Sequence, residues 1–533
     1  MTDTPHSTEP VTWRKGAVLA TLCVAVFVTV LDGTIVNIAL PTLAKDLHAS
    51  TRGLQWIVDA YLLAFTGLLL AAGGLGDRFG RRRALVSGLV VFGITSALAG
   101  AADTTGQLIA TRVLMGIGAA LIFPATLAII TNVFTEPGER AKAIGVWSAM
   151  TGIAVAAGPI IGGWLIERFW WGSIFYVNVP IVAVVLLATV RFVPESRDSH
   201  APRLDLAGLV LSIAAITALV LTIIEAPTWG WASAATIAGF ATAAVLIGAF
   251  VAWELRTPEP MLPVRIFRNL RFSAASLSIA SAFFALFGFV FLIVQYFQLV
   301  LGYTPLEAGV RTLPVAFSIA FASIAAPQIV QRVGTTRVVS AGLTLMAAAF
   351  AWVAIANDGA TPYSVIAGQM VLLGVGLGFT TAPATESIMG SLSLGKAGVG
   401  SAVNDTTREL GSTLGVAVLG SVFSSVYVHA LGTKPVYSTL APSLQRTTRE
   451  SVSAAGTLAS HLGQHAPAYL HEVSDAFVSG LHVASLVAAA VAVVGAVFAA
   501  RFLPARAATP AQEPGLDRLV GLAPEPALAA HDA

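Results

Sequence analysis

The stretch GGLGDRFGRRRAL, residues 73–85, sets one aspartate and four arginines between two long apolar runs, near 54–75 and 84–102. Each run has roughly the twenty residues needed to cross a hydrocarbon core as a helix. The stretch therefore reads as a short polar loop between two membrane spans, with glycines that permit a tight turn. Outward from it the alternation repeats. Breaks at charges and Pro/Gly clusters leave apolar runs near 16–40, 54–75, 84–102, 107–132, 142–166, 174–193, 205–226, 232–253, 272–301, 306–331, 338–357, 362–388, 400–430 and 476–503, fourteen in all. The chain is 56% hydrophobic and 11% charged, with a mean hydropathy of +0.80, whereas soluble domains carry about 25% charged residues. An all-α polytopic membrane protein follows. The single cysteine, Cys23, rules out an intramolecular disulfide. The net charge of +2 gives no sign of a nucleic-acid partner. Arg14 and Lys15 precede the first run, which passes signal-peptide length without an A-x-A-like site, so it reads as an uncleaved span.

An even number of spans puts both termini on one face. That face holds 21 of the 30 Lys and Arg residues, the opposite loops hold six, and three (Arg112, Arg311, Arg408) fall within spans. The positive-inside rule then places both termini in the cytoplasm of a multi-pass protein of the cell membrane. Polar linkers at 191–205 and 254–271 isolate spans 7 and 8, giving a 6 + 2 + 6 layout. The expected units are a tail at 1–13, a six-helix bundle at 14–195, a linker with the inserted helices at 196–256, a second six-helix bundle at 257–506, and a disordered tail at 507–533. Within the second bundle, 431–475 is the one sizeable outer loop, too small or too irregular for a catalytic domain. DRFGRRR (77–83) after span 2 and QRVGTTR (331–337) after span 10 share R-x-G at equivalent places, the trace a duplicated transporter half would leave.

Gly73, Leu75, Asp77, Arg78, Gly80, Arg81 and Leu85 match G-x-L-a-D-r-x-G-r-k-x-x-l, so 73–85 resembles the cytoplasmic signature of the major facilitator superfamily. LIATRVLMGIGAA (108–120), with Arg112, resembles that family's fourth-span motif. GPIIGG (158–163) resembles its antiporter motif: Gly158, Gly162 and Gly163 form a flat packing surface, and Pro159 should bend the helix. LDGTIVNIALP in span 1, FQLVLGYTPLEAGVRTLP (297–314) and NDTTRELGSTLGVA (404–417), together with fourteen spans, resemble the drug:proton antiporter-2 family of actinobacterial multidrug and antibiotic exporters. The chain departs from it at WWGSIFYVNVP (170–180), where Gly172 and Ser173 replace the Arg and second Trp of W-R-W. The resemblance implies two pseudo-symmetric six-helix bundles and a secondary efflux transporter that uses protons and no other cofactor. Its implied cargo is a small amphipathic, cationic or polar drug, and the chain is expected to work as a monomer in the bilayer.

Asp32 is the only charge between Lys15 and Lys45. A carboxylate at that depth costs roughly 2.5–3.5 kcal/mol on insertion scales. It is useful if its protonation is what the transporter cycles. Counted at 1.5 Å per residue, Asp32 lies about 13 Å below the outer end of its span, and Arg112 and Asp59 about 8 Å below it. Asp32 is the expected coupling or substrate carboxylate, with Arg112 beside it; a static Asp32–Arg112 pair is the structural alternative. Asp59 fits coupling or a solvated cap equally. Glu386 offers a second proton site, and Glu225 a structural role. Near the cytoplasm, Asp77 is expected to dock on the helix start at 400–404, with Arg78 or Arg81 meeting Asp405 or Glu409 and Arg408 beside them, as a gate. Phe27, Trp56, Tyr61, Phe123, Phe284, Phe287 and Tyr296 are candidate cargo contacts.

Rival readings fit less well. GSLSLGKA (390–397) nearly spells a phosphate loop, but Ala397 lacks the hydroxyl for Mg²⁺. GVGLG (374–378) sits within a span, where close helix approach explains it. His461 and His465, with His471 and Glu472, suggest either a metal site or a solvated face, the latter favoured. No histidine falls mid-span in this reading, which disfavours an intramembrane enzyme. Uniport, export of an amino acid, siderophore or lipid, and a receptor or scaffold remain as alternatives.

Overall fold

The computed structural model describes residues 11–197, 205–258, 260–389, 391, 397–459 and 462–504. Most of 390–397, His461 and the C-terminal tail, which carried three of the expectations above, lie outside the described residues. Fourteen long helices, labelled α1 to α14, succeed one another: Val11–Asp46, Thr51–Phe79, Arg81–Gly100, Thr105–Val133, Pro137–Arg168, Asn178–Phe192, Leu206–Trp229, Ala234–Arg256, Leu270–Gln295, Leu313–Val333, Thr335–Ala356, Tyr363–Met389, Ala397–Leu431 and Ala466–Phe502. Thirteen spans are long and apolar enough to cross a membrane on their own. The fourteenth is α2, bent by 52° between Thr51–Leu69 and Ala71–Phe79.

Local chemistry sets the ends. Ser50, Thr104, Asp205 and Ser233 accept hydrogen bonds from backbone N–H groups three residues on, capping α2, α4, α7 and α8. Gly80 and Gly334 adopt φ of +114° and +91° where α2 turns into α3 and α10 into α11. These are the glycines of the repeated R-x-G, so the repeat marks two equivalent turns whose backbone favours glycine.

The packing is duplicated as well. In the first half α4 packs on α2 and α3, α5 on α1, and α6 on α1 and α3. In the second half α12 packs on α10 and α11, α13 on α9, and α14 on α9 and α11. Each pairing maps onto its counterpart by adding eight to the helix number. The halves meet through α2 with α13, and through α5 with a short helix, Pro305–Arg311, that leads into α10. α7 lies against both α2 and α13.

Two expectations need correction. The segment 431–475 is not irregular: it folds into helices Pro435–Ser438, Pro442–Glu450 and Val452–Ala459, and α14 begins at Ala466. Glu472 accepts hydrogen bonds from the backbone N–H groups of Val436 and Tyr437, and His471 lies 3.2 Å from Asp475. The longer α14 also puts His482 within a helix, bonded at 2.6 Å to the Asn357 carbonyl oxygen.

Candidate functional site

Asp32, on α1, is wholly buried inside the first half. Arg112, from α4, donates through Nη1 to its Oδ2. Asn178, at the start of α6, donates through Nδ2 to Oδ1 at 3.0 Å, and the same nitrogen lies 3.0 Å from Ser96 Oγ on α3. Arg112 Nε donates to the Ile57 carbonyl at 3.1 Å, and its guanidinium stacks 4.2 Å over the ring of Tyr61. Tyr61 in turn donates to the Thr29 carbonyl at 3.0 Å. Two helices thus supply partners to one carboxylate and two more, with α1 itself, hold those partners in place, and a cation over a desolvated ring adds to the hold on Arg112. Breaking such a buried pair on one side costs about 3–5 kcal/mol, because the remaining charge stays buried. The sequence singled out Asp32, Arg112 and Tyr61. Asn178 and Ser96 escaped it, although Asn178 stands in the quoted Y-V-N-V-P, a polar amide just where a span opens.

Asp59 does not form a solvated cap. It is fully buried, and among the described residues neither carboxylate oxygen has a hydrogen-bond partner. One turn away, Gln55 donates to the Ala417 carbonyl at 3.0 Å and to Ser421 Oγ at 3.3 Å, which ties α2 to α13. Glu225 pairs with Arg52 at 2.8 Å and so holds α7 to α2. Glu386 is exposed on α12, next to Thr385, which bonds Arg408 and Asn404.

The expected gate is not assembled in this conformation. Asp77 pairs with Arg81 at 2.8 Å within its own turn, Arg81 also reaches the Ala128 carbonyl, and Arg78 is exposed beside Phe79. The backbone of Arg82 donates to Glu195 at 3.1 Å. Across the molecule, Arg408 donates to Thr385 Oγ1 at 3.1 Å and lies 5.4 Å over Phe283, while Asp405 accepts from Asn404 at 3.2 Å. Glu409 sits one turn from Asp405, its backbone carbonyl bonded by Thr413.

The two halves are joined at the end remote from the termini. Among the described residues, every hydrogen bond between them lies there: Gln55 to α13, Gln298 to the Ile38 carbonyl at 2.9 Å, Leu306 N–H to Glu167 at 2.9 Å, and Ser453 to the Pro41 carbonyl at 3.2 Å. The GPIIGG glycines bring α5 close to α1 within the half and, at Gly163, to the second half. A Cβ on Gly158 would meet Thr34 Oγ1 at 2.1 Å, on Gly162 Ile38 at 2.6 Å, and on Gly163 the Leu306 backbone at 2.6 Å. A Cβ on Gly309 would fall 2.2 Å from the Pro159 carbonyl. Pro159 itself lies inside an unbroken helix.

The partly exposed stripe of α9, Leu277, Ala280, Phe283, Phe287 and Val290, belongs to a helix otherwise buried in its own half. α1 carries a matching stripe, Val24, Phe27 and Val30. Phe27 and Phe287 stand on these partly exposed stripes. Phe284 and Tyr296 are buried in the core, and Trp56 packs against α7.

A family model described as Major Facilitator Superfamily matches residues 22–416. The chain is 36% identical over 501 residues to "Multidrug efflux pump LfrA" of Mycolicibacterium smegmatis, which covers 93% of this chain and 98% of that one. It is 33% identical over 495 residues to "Tetracenomycin C resistance and export protein" of Streptomyces glaucescens, covering 91% of each. It is 37% identical over 415 residues to "Methyl viologen resistance protein SmvA" of Salmonella typhimurium, covering 77% of this chain and 83% of that one. In fold it matches the crystal structure of a bacterial homolog of the human lysosomal transporter Spinster, in an inward-facing and occupied conformation, with a TM-score of 0.66 at 16% identity, over 93% of this chain and 98% of the other. With its duplicated bundles and these likenesses along nearly its whole length, the chain belongs to the Major Facilitator Superfamily and is a multi-pass membrane transporter, not an enzyme.

Proposed function

We propose that this protein exports amphipathic, cationic drug-like molecules in exchange for protons, with Asp32 as the carboxylate for which the two compete. The observation that carries the reading is the buried Asp32, held by Arg112 and Asn178 in a fold whose inter-half hydrogen bonds, among the described residues, all lie at the end remote from the termini. With both termini in the cytoplasm, as the Lys and Arg distribution favours, this is the conformation that admits cargo from inside the cell. A structural carboxylate has no need of so costly a place; one that exchanges a proton for a cation does. The relatives named for multidrug efflux and for resistance to methyl viologen and tetracenomycin support the cargo class.

In the cycle, the bundles at 14–195 and 257–506 rock about their contact, working within a single chain. Protonation of Asp32 from outside releases it from Arg112. After inward opening the proton leaves and a cationic drug takes its place. Outward opening parts Gln55 from α13 and Gly309 from Pro159. At the same time Asp77, Arg78, Gly80 and Arg81 close against the end of α13 near Asp405, Arg408 and Glu409, drawing a helix N-terminus towards a carboxylate. Asp59 is a second proton carrier, since an unpaired buried carboxylate is costly unless it is neutralised. One charge moved across 100 mV is worth about 2.3 kcal/mol, enough for a gradient of tens-fold without nucleotide.

The test is efflux of ethidium from proteoliposomes under an imposed pH gradient, native protein against Asp32→Asn. The native protein is expected to move dye with the gradient, and the folded variant to lose at least about 90% of that flux, the tenfold that 1.4 kcal/mol represents. Equal transport by both makes Asp32 structural. Native flux that ignores the gradient makes the protein a uniporter.

A further inference from the structure

The two polar linkers that bound the inserted helices meet at one point on the side of the termini. Asp205, the last residue of the first linker, caps α7, and Glu254, where the second begins, stands in the last turn of α8. α7 and α8 pack on each other, and α8 also touches the 3-10 helix Val264–Arg268 that leads into α9. A Cβ on Gly208 would meet Asp205 Oδ2 and Glu254 Oε1, each at 2.5 Å, so the two carboxyl groups close on the same spot.

Their surroundings are unequal. Asp205 accepts from the Gly208 N–H at 2.8 Å through Oδ1, and from Trp253 Nε1 at 2.9 Å through Oδ1 and 3.0 Å through Oδ2. Glu254 is only 3% exposed; its Oε2 accepts from the Leu262 N–H at 2.9 Å, and among the described residues its Oε1 has no partner. The basic side chains nearby are turned elsewhere. Arg256 and Arg268 are exposed, and Arg265 gives its Nη2 to the Leu255 carbonyl at 3.0 Å. α7 brings no further charge to this end, since Glu225 pairs with Arg52 at the other.

Two ionised carboxylates at one buried spot repel and are poorly solvated, and a proton between them removes both costs. The hydrogen bonds say which oxygen carries it. Three N–H contacts suit Asp205 as the anion, whereas the unpartnered Glu254 Oε1 becomes a donor when protonated. We propose that Asp205 and Glu254 form a proton-binding site that ties the two linkers together, closed with one shared proton and open without it. In the closed form Glu254 Oε1 donates to Asp205 Oδ2, and the Leu262 N–H keeps its acceptor. When the proton passes to water, the second negative charge drives the Glu254 side chain towards solvent, Leu262 loses its partner, and the segment leading to α9 comes free of the inserted pair. The site thereby conveys the pH on the side of the termini to the joint between α7, which packs on both halves, and the second half.

The test is maleimide labelling of the purified protein carrying Met261→Cys, in the linker, and Cys23→Ser to remove the native thiol. Rates from about pH 6 to about pH 9 are divided by those of the same protein with Glu254→Gln, whose amide can donate to Asp205 at every pH, so that ionisation of the thiol itself cancels. The ratio should stay near one in acid and rise at least about fivefold in alkali. A level ratio overturns the site. Asp205→Asn is the second reference: its side chain still caps α7 and offers the Glu254 carboxylate an N–H, so the tie should stay shut and labelling should follow Glu254→Gln throughout. A rise that persists in Asp205→Asn shows that Asp205 is not the partner and overturns the proposal as well. No transport enters either comparison, so the outcome is separate from that of the antiport reading.

Discussion

Arg112→Ala leaves Asp32 buried beside Asn178 with no cation, whereas adding Asp32→Asn removes the charge that was stranded. The single variant should lose about 3–5 kcal/mol of stability, the cost of a broken buried pair, and the double variant should recover most of it. Thermal unfolding in detergent checks the order, and a double variant no more stable than Arg112→Ala would mean that the pair is not the dominant contact of Arg112. Transport should stay absent in both, since neither retains the carboxylate together with its partner. At this scale the sequence was half legible. A lone aspartate and a lone arginine stand out against apolar runs because charge in lipid is costly. Asn178 does not, because an asparagine at a helix start looks like an ordinary cap. Only the meeting of α1, α3, α4 and α6 turns it into a ligand of Asp32. The burial of Asp59 was hidden for a related reason: position along a helix says how deep a residue lies, and the packing of α2 against α13 decides whether water reaches it.

The contact of α5 with Pro305–Arg311 is made between backbones. Gly309→Ala sets a Cβ 2.2 Å from the Pro159 carbonyl, which as backbone has little room to move. The clash penalises only the conformation in which this seam is closed, by about 1–3 kcal/mol if other overpacked sites are a guide. The variant should therefore fold and insert, but populate the opposite conformation about tenfold more, as 1.4 kcal/mol dictates. Labelling of a cysteine placed at Leu306 from the remote side reports it, with faster labelling expected in Gly309→Ala. An unchanged rate would show that the helices slide apart locally without rocking. The GPIIGG glycines were legible as a packing surface from composition, but their partners were not. Gly158 and Gly162 serve α1 within the half and Gly163 serves the other half, a distinction made by the facing helices.

For the molecule as a whole, antiport fixes a sign. With protons more concentrated outside, dye should leave cells or inside-in vesicles against its own gradient. With the pH gradient reversed the same protein should accumulate dye, and with a proton ionophore flux should fall to the downhill rate. Fluorimetry of a preloaded dye reads all three, and a flux blind to reversal sinks proton coupling. The sequence by itself determined that the chain crosses the membrane about fourteen times, that its halves are duplicated, and that Asp32 and Arg112 are out of place in lipid. These are properties of apolar run length, of a repeated R-x-G turn and of the cost of charge, all written locally along the chain. Only the tertiary structure decided that the hydrogen bonds between the halves, among the described residues, gather at the end remote from the termini, and that Asp77 turns to Arg81 for its partner. The same holds for the packing of α7 against both α2 and α13. Those facts depend on which helix faces meet, and in a chain whose faces are nearly all apolar, hydrophobicity cannot distinguish a side that meets lipid from one that meets protein.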